Sequence, residues 1–312
     1  TNGAHTGSWL ARRMRVLFER SLGPDWHEQL DDPETWESLL SIPDEDLWAV
    51  HRHLKRQLQI FMNDRVRAQW VTTRIHPVQI IAAGALMDPN VLTIGFARRF
   101  ATYKRAGLLF RNTERLLKLV NREDMPVQFV FAGKAHPADD PGKKVIQELY
   151  RTVKRAEFAG RLIFIEDYDQ NVARHLVQGV DVWLNTPRRP HEASGTSGQK
   201  AAINGVLNCS ILDGWWPEGY NGKNGWAIGD EQDRALEEEQ DAFDAESLFT
   251  LLENEIVPLY YKRDEKDLPR EWIRMMKESI ATLAPSFSAR RMVKDYVNQM
   301  YVPAIRAALV NT

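Results

Sequence analysis

Cysteine is all but missing: Cys209 stands alone among 312 residues. An intrachain disulfide is thereby excluded, and this usage fits a reducing cytoplasm. Apolar residues nowhere run long enough to span a bilayer. Net charge is equally scant, −2 from 41 Lys and Arg against 43 Asp and Glu, so neither a nucleic acid nor a membrane surface is expected as a partner. Internal repeats and low-complexity segments are also wanting. The first residues, Thr1-Asn2-Gly3-Ala4-His5-Thr6-Gly7-Ser8-Trp9, contain no initiator methionine, and they have neither the charge nor the apolar run of a signal peptide. The expectation is a fragment or a processed chain.

What is present is the composition of a folded protein, 43% hydrophobic and 27% charged, long enough for one large domain or two smaller ones. Ten tryptophans are many for this length. Bare indole surface is costly, so some are expected to line a cleft or to face an absent partner domain. Residues 9–75 read as helical, with an amphipathic stretch at 10–22. A second helix opens on Asp44-Glu45-Asp46 and carries Leu47, Val50, Leu54, Leu58 and Phe61. Met87-Asp88-Pro89-Asn90 is a breaker cluster and a plausible boundary.

Beyond it, strands and helices alternate. Strands are expected at 92–97, 127–133, 162–165 and 180–184, with shorter ones at 208–212 and 225–228. Helices are expected at 105–120, 145–157 and 171–177, and again from Lys200. Residues 230–241 read as an acidic loop, followed by helices near 245–260, 271–282 and 288–309. Short apolar strands separated by helices imply an α/β fold with a doubly wound, mostly parallel sheet. Ligands of such sheets bind beyond the carboxyl ends of the strands. Arg99 and Lys104 follow the first strand, Lys134 and His136 the second, and Tyr168 the third.

The fourth strand leads into Glu192-Ala193-Ser194-Gly195-Thr196-Ser197-Gly198-Gln199-Lys200. A glycine-rich loop between strand and helix offers backbone N–H groups to an anion. Lys200 is awkward there, since a cation in a first helical turn opposes the dipole. Either it snorkels to solvent, or a phosphate or an imine to an aldehyde cofactor gives it a partner. The run Arg98-Arg99-Phe100-Ala101-Thr102-Tyr103-Lys104-Arg105 is a solvated basic turn or, given its position, a phosphate clamp. His136 and Lys134 read as solvated loop residues. The loop Asp213-Gly214-Trp215-Trp216-Pro217 suits either a sugar face or a core cap.

The segment from Glu192 to Asn204 resembles the pyridoxal-phosphate signature of glycogen and α-glucan phosphorylases: Glu-Ala-Ser-Gly-Thr, a small residue, two variable positions, Lys and, four residues on, Asn. The resemblance covers nearly the whole chain. It includes Thr1-Asn2-Gly3 with Trp9, Arg99 through Lys104, Gly133-Lys134-Ala135, Glu166-Asp167-Tyr168 and Leu212-Asp213-Gly214. Residues 214–226 look like the shorter bacterial branch. Gln199 departs from the usual Met, Ile203 from Leu or Met, and Ala101-Thr102 from the His-Glu pair of the longer branch.

The resemblance implies the C-terminal Rossmann-like domain of a two-domain GT-B fold. Residues 1–88 would form a helical interdomain segment, 89–285 the cofactor domain and 286–312 a C-terminal helix, with an N-terminal domain of the same protein missing. It also implies a Schiff base between Lys200 and pyridoxal 5′-phosphate. The cofactor phosphate would lie among Gly195, Thr196, Ser197 and Lys104, with Arg99 on the substrate phosphate. Glu192, Ser194, Gly195 and Asn2 would hold glucose. Tyr103 and Tyr168 would border phosphate and cofactor, and Trp9 the cofactor ring. The implied reaction is retaining phosphorolysis of an α-1,4-glucan by inorganic phosphate to glucose 1-phosphate. The cofactor's 5′-phosphate is the acid/base partner there, since its second pKa of about 6 suits proton exchange. A homodimer is conceivable for the full-length protein.

Two other readings stand beside this one. A nucleotide-sugar transferase of the same architecture often carries two glutamates eight positions apart. Here the second position is Lys200, which cannot accept hydrogen bonds from a ribose. A non-catalytic glucan- or cofactor-binding domain is the third.

Overall fold

The computed structural model describes residues 2–73, 87–158, 160–232 and 234–310. Thr1 and positions 74–75 of the expected helical segment lie outside the described residues. Six strands form one parallel sheet: β1 Leu92–Ala97, β2 Val127–Ala132, β3 Leu162–Ile165, β4 Val182–Asn185, β5 Leu207–Ile211 and β6 Gly225–Ile228. Their order is β3-β2-β1-β4-β5-β6. Helices cover both faces, so β1, β2, β4 and β5 are buried at every position. That is why they read as apolar runs without alternation. The strand order reverses between β1 and β4, which places a crevice at the carboxyl ends of those two strands.

Local chemistry moved several boundaries. The helix expected at 105–120 begins later because Arg105 takes a left-handed backbone, φ 46°. Its guanidinium donates to the carbonyls of Thr186 at 3.0 Å and Pro187 at 2.7 Å. A 3-10 turn, Leu108–Asn112, intervenes, and the α-helix is Thr113–Val120, capped where the Arg115 N–H donates to Asn112 Oδ1. The helix expected at 145–157 runs earlier, Asp140–Val153, because Asp139 caps it by accepting from the Gly142 N–H. The acidic stretch 230–241 is loop only in part: a helix starts at Glu237, its three first-turn glutamates facing the positive dipole end.

Most of the tryptophans are interior rather than lining a cleft. Trp26, Trp36, Trp48, Trp183, Trp215, Trp216, Trp226 and Trp272 are all buried, and Trp9 is half-buried; Trp70 lies outside the described side chains. Indole is large enough to build a core around. Trp26, Trp36 and Phe18 meet edge to face at 5.6–5.8 Å, joining the N-terminal helices to the same apolar cluster that holds the sheet. Trp215 and Trp216 cap a core with Leu283 and Phe287 rather than offering a sugar face. Exposed large apolar side chains are concentrated on the last helical stretch, at Val293, Tyr296, Met300, Tyr301, Ile305 and Leu309, with Val16, Leu40, Ile60 and Leu236 scattered elsewhere. Among the described residues no helix is long and apolar enough to cross a membrane.

Candidate cofactor and anion site

The loop after β4 is held by the segment after β5. The Glu192 N–H donates to Asp213 Oδ2 at 2.9 Å, and the Trp215 N–H to the Ser194 carbonyl at 2.9 Å. Gly214 has φ 61°, and a Cβ there would stand 2.5 Å from the Ser194 carbonyl oxygen. Only glycine permits that approach. The loop ends in the short helix Ser197–Ala202. Its Gly198 carbonyl accepts from the Asn208 side-chain amide, and Ser197 Oγ accepts from the Trp183 indole. A Cβ on Gly198 would meet Asn208 Oδ1 at 2.5 Å and the Trp215 ring at 2.8 Å.

At the β1/β4 crevice the structure assembles a charged cluster. Arg98 lies just past β1 and donates to Asn185 Oδ1 at the end of β4 and to Glu192 Oε2. Lys104, from the 3-10 turn Thr102–Lys104, sits 3.2 and 3.3 Å from the two Glu192 oxygens. All three side chains are nearly sealed, at 8–10% exposure. Burial disfavours the Arg98 charge, while Glu192 supports it. The Tyr103 ring lies 4.9 Å from Lys104 Nζ. Tyr168 is half-buried and within electrostatic reach of Arg98, and burial raises its pKa.

Arg99, nominated from sequence, is exposed, whereas Arg98 is the buried member of the pair. Arg98, named in the basic run but not singled out from it, is the member placed beside Glu192. Successive side chains on extended backbone point to opposite sides, so only one of two adjacent arginines could enter the crevice. The run of cations alone does not say which. Lys134 and His136 are exposed, and the Ala138 N–H donates to His136 Nδ1 within a local turn. A cavity of about 410 Å³, lined by Thr102, Leu108, Leu149 and Arg188 among others, adjoins the turn but contains none of the nominated residues.

Lys200 is on the other side of the loop. Its Nζ lies 4.0 Å over the Trp9 ring, half-buried and with no hydrogen bond or ion pair among the described residues. Desolvation lowers its pKa, which raises the share of free amine at neutral pH. Asn204, fully buried, fixes this arrangement. Its Oδ1 accepts from the Ala11 N–H at 2.8 Å, and its amide donates to the carbonyls of Trp9 at 3.0 Å and Lys200 at 2.8 Å. Gln199, also buried, donates to the Asn2 carbonyl at 2.8 Å. Its departure from an apolar side chain therefore tethers the N-terminal segment. The Asn2 side chain accepts from the Tyr296 hydroxyl at 3.4 Å.

Asn204→Ala is expected to cost about 2–3 kcal/mol, because it strands a buried N–H and a carbonyl at once. Chemical denaturation checks this, and a change below about 0.5 kcal/mol would show that the three bonds are dispensable.

The carbohydrate phosphorylase family model matches residues 1–218. Glycogen phosphorylase from Aquifex aeolicus is 51% identical over 301 residues, covering 96% of this chain and 43% of that protein. Maltodextrin phosphorylase from Thermococcus litoralis is 46% identical over 310 residues, covering 99% and 36%. Glycogen phosphorylase from Mycobacterium bovis is 41% identical over 307 residues, covering 98% and 35%. The chain thus spans about two-fifths of the length of these relatives.

Proposed function

The chain belongs to the carbohydrate phosphorylase family, and we propose that it is the cofactor- and phosphate-holding portion of an α-1,4-glucan phosphorylase. The observation that carries this reading is the pairing of a desolvated amine at Lys200, which has no hydrogen bond or ion pair among the described residues, with a buried two-cation cluster at the near end of the same loop. An aldehyde needs the first and a phosphate the second. Pyridoxal 5′-phosphate has both groups.

The residues fit that cofactor. Ser194 Oγ and Arg98 Nε are buried without hydrogen-bond partners among the described residues, and buried polar atoms left so are costly unless a ligand supplies the bond. Lys200 would hold the cofactor's aldehyde carbon, with Trp9 and Tyr168, which border one apolar cluster, packing beside its ring. The loop at Gly195, Thr196 and Ser197 would meet the phosphate with Lys104. When bound, the cofactor supplies a phosphate able to exchange a proton near neutrality.

The chain's own task is electrostatic. Two phosphates in contact repel strongly, and Arg98, Arg99 and Lys104 would offset that repulsion. Arg99, exposed at the mouth, would bind inorganic phosphate. Glu192, Ser194, Gly195 and Asn2 would hold glucose hydroxyls, and Tyr103 would border the substrate phosphate. Inorganic phosphate would protonate the glycosidic oxygen, the shortened glucan would leave with that proton, and the phosphate anion would capture the sugar cation on the same face, giving glucose 1-phosphate with retention. The rest of the full-length protein would supply the other wall of the cleft, and the cytoplasm is the expected compartment. Alone, the 312-residue chain is expected to release little or no glucose 1-phosphate from maltodextrin.

Incubation with pyridoxal 5′-phosphate, borohydride reduction and peptide mapping test the assignment. Labelling at Lys200 is the expected result; labelling elsewhere, or none, overturns it.

A further inference from the structure

Glu192 has two claims on it. The sugar-binding role requires its carboxylate to face glucose, yet in the structure it lies between Arg98 and Lys104. These are the two buried cations that a phosphate would need. We infer that Glu192 is the resident counter-ion of the Arg98–Lys104 pair and is exchanged for a phosphate group when one binds, so that filling the phosphate seat releases the carboxylate for sugar. This rests on the reading above.

Three observations carry the inference. First, the cluster is +2 from Arg98 and Lys104 against −1 from Glu192, with every member nearly sealed. Two cations in a place of low dielectric require an anion, and Glu192 is the one they have. A phosphate dianion beside Glu192 in the same seat would leave the three anionic charges in excess of two cationic ones, with like charges at contact distance. Both cannot stay. Second, the Glu192 backbone is pinned by its N–H bond to Asp213, so an exchange would require only the side chain to turn. Third, there is somewhere for it to move. Gly195 has no Cβ where one would touch the Glu192 carboxyl carbon at 3.6 Å, so the loop leaves a carbon-sized gap on that side of the carboxylate. The contact with Lys104 is also loose, 3.2–3.3 Å and shared between both oxygens, as suits an interaction meant to be exchanged.

The test is titration of the 312-residue chain with inorganic phosphate, by calorimetry and thermal shift at constant ionic strength in sulfate-free buffer. Glu192→Gln keeps the shape of the side chain and removes its charge. It is expected to bind phosphate at least about fivefold more tightly than wild type. Its melting temperature should be lower than wild type without phosphate and should rise more on adding it. A purely structural glutamate would lower the melting temperature with no such phosphate dependence. Should Glu192→Gln fail to fold, Glu192→Asp retains the charge but retracts it from the pair and is likewise expected to bind phosphate more tightly. Equal or weaker phosphate binding by the variant that folds overturns the exchange. If wild type and variant alike bind no phosphate, the anion-seat reading falls with it. Because the titration does not involve Lys200, cofactor labelling there reports separately on that reading.

Discussion

Lys200→Ala is expected to abolish borohydride-dependent labelling by pyridoxal 5′-phosphate and to weaken its binding by about a hundredfold, on the order of 2.7 kcal/mol. The cation cluster and the loop survive the substitution, so residual binding through phosphate should remain. The substitution removes the nucleophilic amine together with the cation over the Trp9 ring. Lys200→Arg makes the sharper comparison: it keeps a cation over the Trp9 ring but offers no amine able to attack an aldehyde. It should behave like alanine in labelling. Exposed Lys134 and Lys223 serve as internal controls. Because burial lowers the Lys200 pKa, its labelling should set in at lower pH than an ordinary lysine value of about 10.4 would give. Undiminished labelling and affinity in Lys200→Ala would remove the cofactor from this site altogether.

The elements most legible in the sequence are those whose physics is local. Val127–Ala132 reads as a strand because both of its faces are covered and no polar residue but Gln128 interrupts it; Gln128 is accommodated by donating to Thr93 Oγ1 and the Asp88 carbonyl. The Glu192–Lys200 loop is legible because its residue types are unusual together. Asn204 belongs to the same recognisable pattern, but its reason does not show until Ala11 and Trp9 come to meet it across 193 and 195 positions. The choice between Arg98 and Arg99 turns on the parity of a strand end, which no composition reports. The tryptophans misled because the cost of exposing indole was weighed without the alternative that eight of them build the interior. Arg105 was read as the start of a helix, yet it breaks the chain direction to reach the carbonyls of Thr186 and Pro187 and the carboxylates of Asp241 and Asp244.

The second large effect is expected at the opposite pole of the sheet, where no motif drew attention. Asp181 precedes β4 and is fully buried. It accepts from Lys55 Nζ at 2.5 Å, from the Thr93 N–H at 2.7 Å, and lies 2.7 Å from His51 Nε2. Lys55 also donates to the Val91 carbonyl and the Tyr260 hydroxyl, so one carboxylate ties the long helix Asp44–Thr73 to two central strands and to the helix Val257–Tyr261. Asp181→Ala leaves the Lys55 ammonium buried without its anion, and should cost about 3–5 kcal/mol, roughly 5–15 °C in Tm. Adding Lys55→Met should recover a large part of that loss, since the stranded charge is then gone, and the double-mutant cycle measures how much. If the double variant is no more stable than Asp181→Ala, the cost lies in packing rather than in charge.

The pH dependence has a fixed sign. Burial opposes ionisation of Asp181, but the Lys55 charge and the hydrogen bonds from His51 and Lys55 outweigh it and hold the carboxyl below its ordinary value. A depressed carboxylate contributes stability that is fully present above the unfolded value, about 4, and is lost as pH falls through the lower folded value. The stability gap between wild type and Asp181→Asn should therefore be constant from pH 7 to about 5 and close on further acidification, as denaturant titrations across that range would record. A gap that widened on acidification would mean that Asp181 is protonated in the native state, and that Lys55 draws its compensation from the Val91 carbonyl and Tyr260 alone.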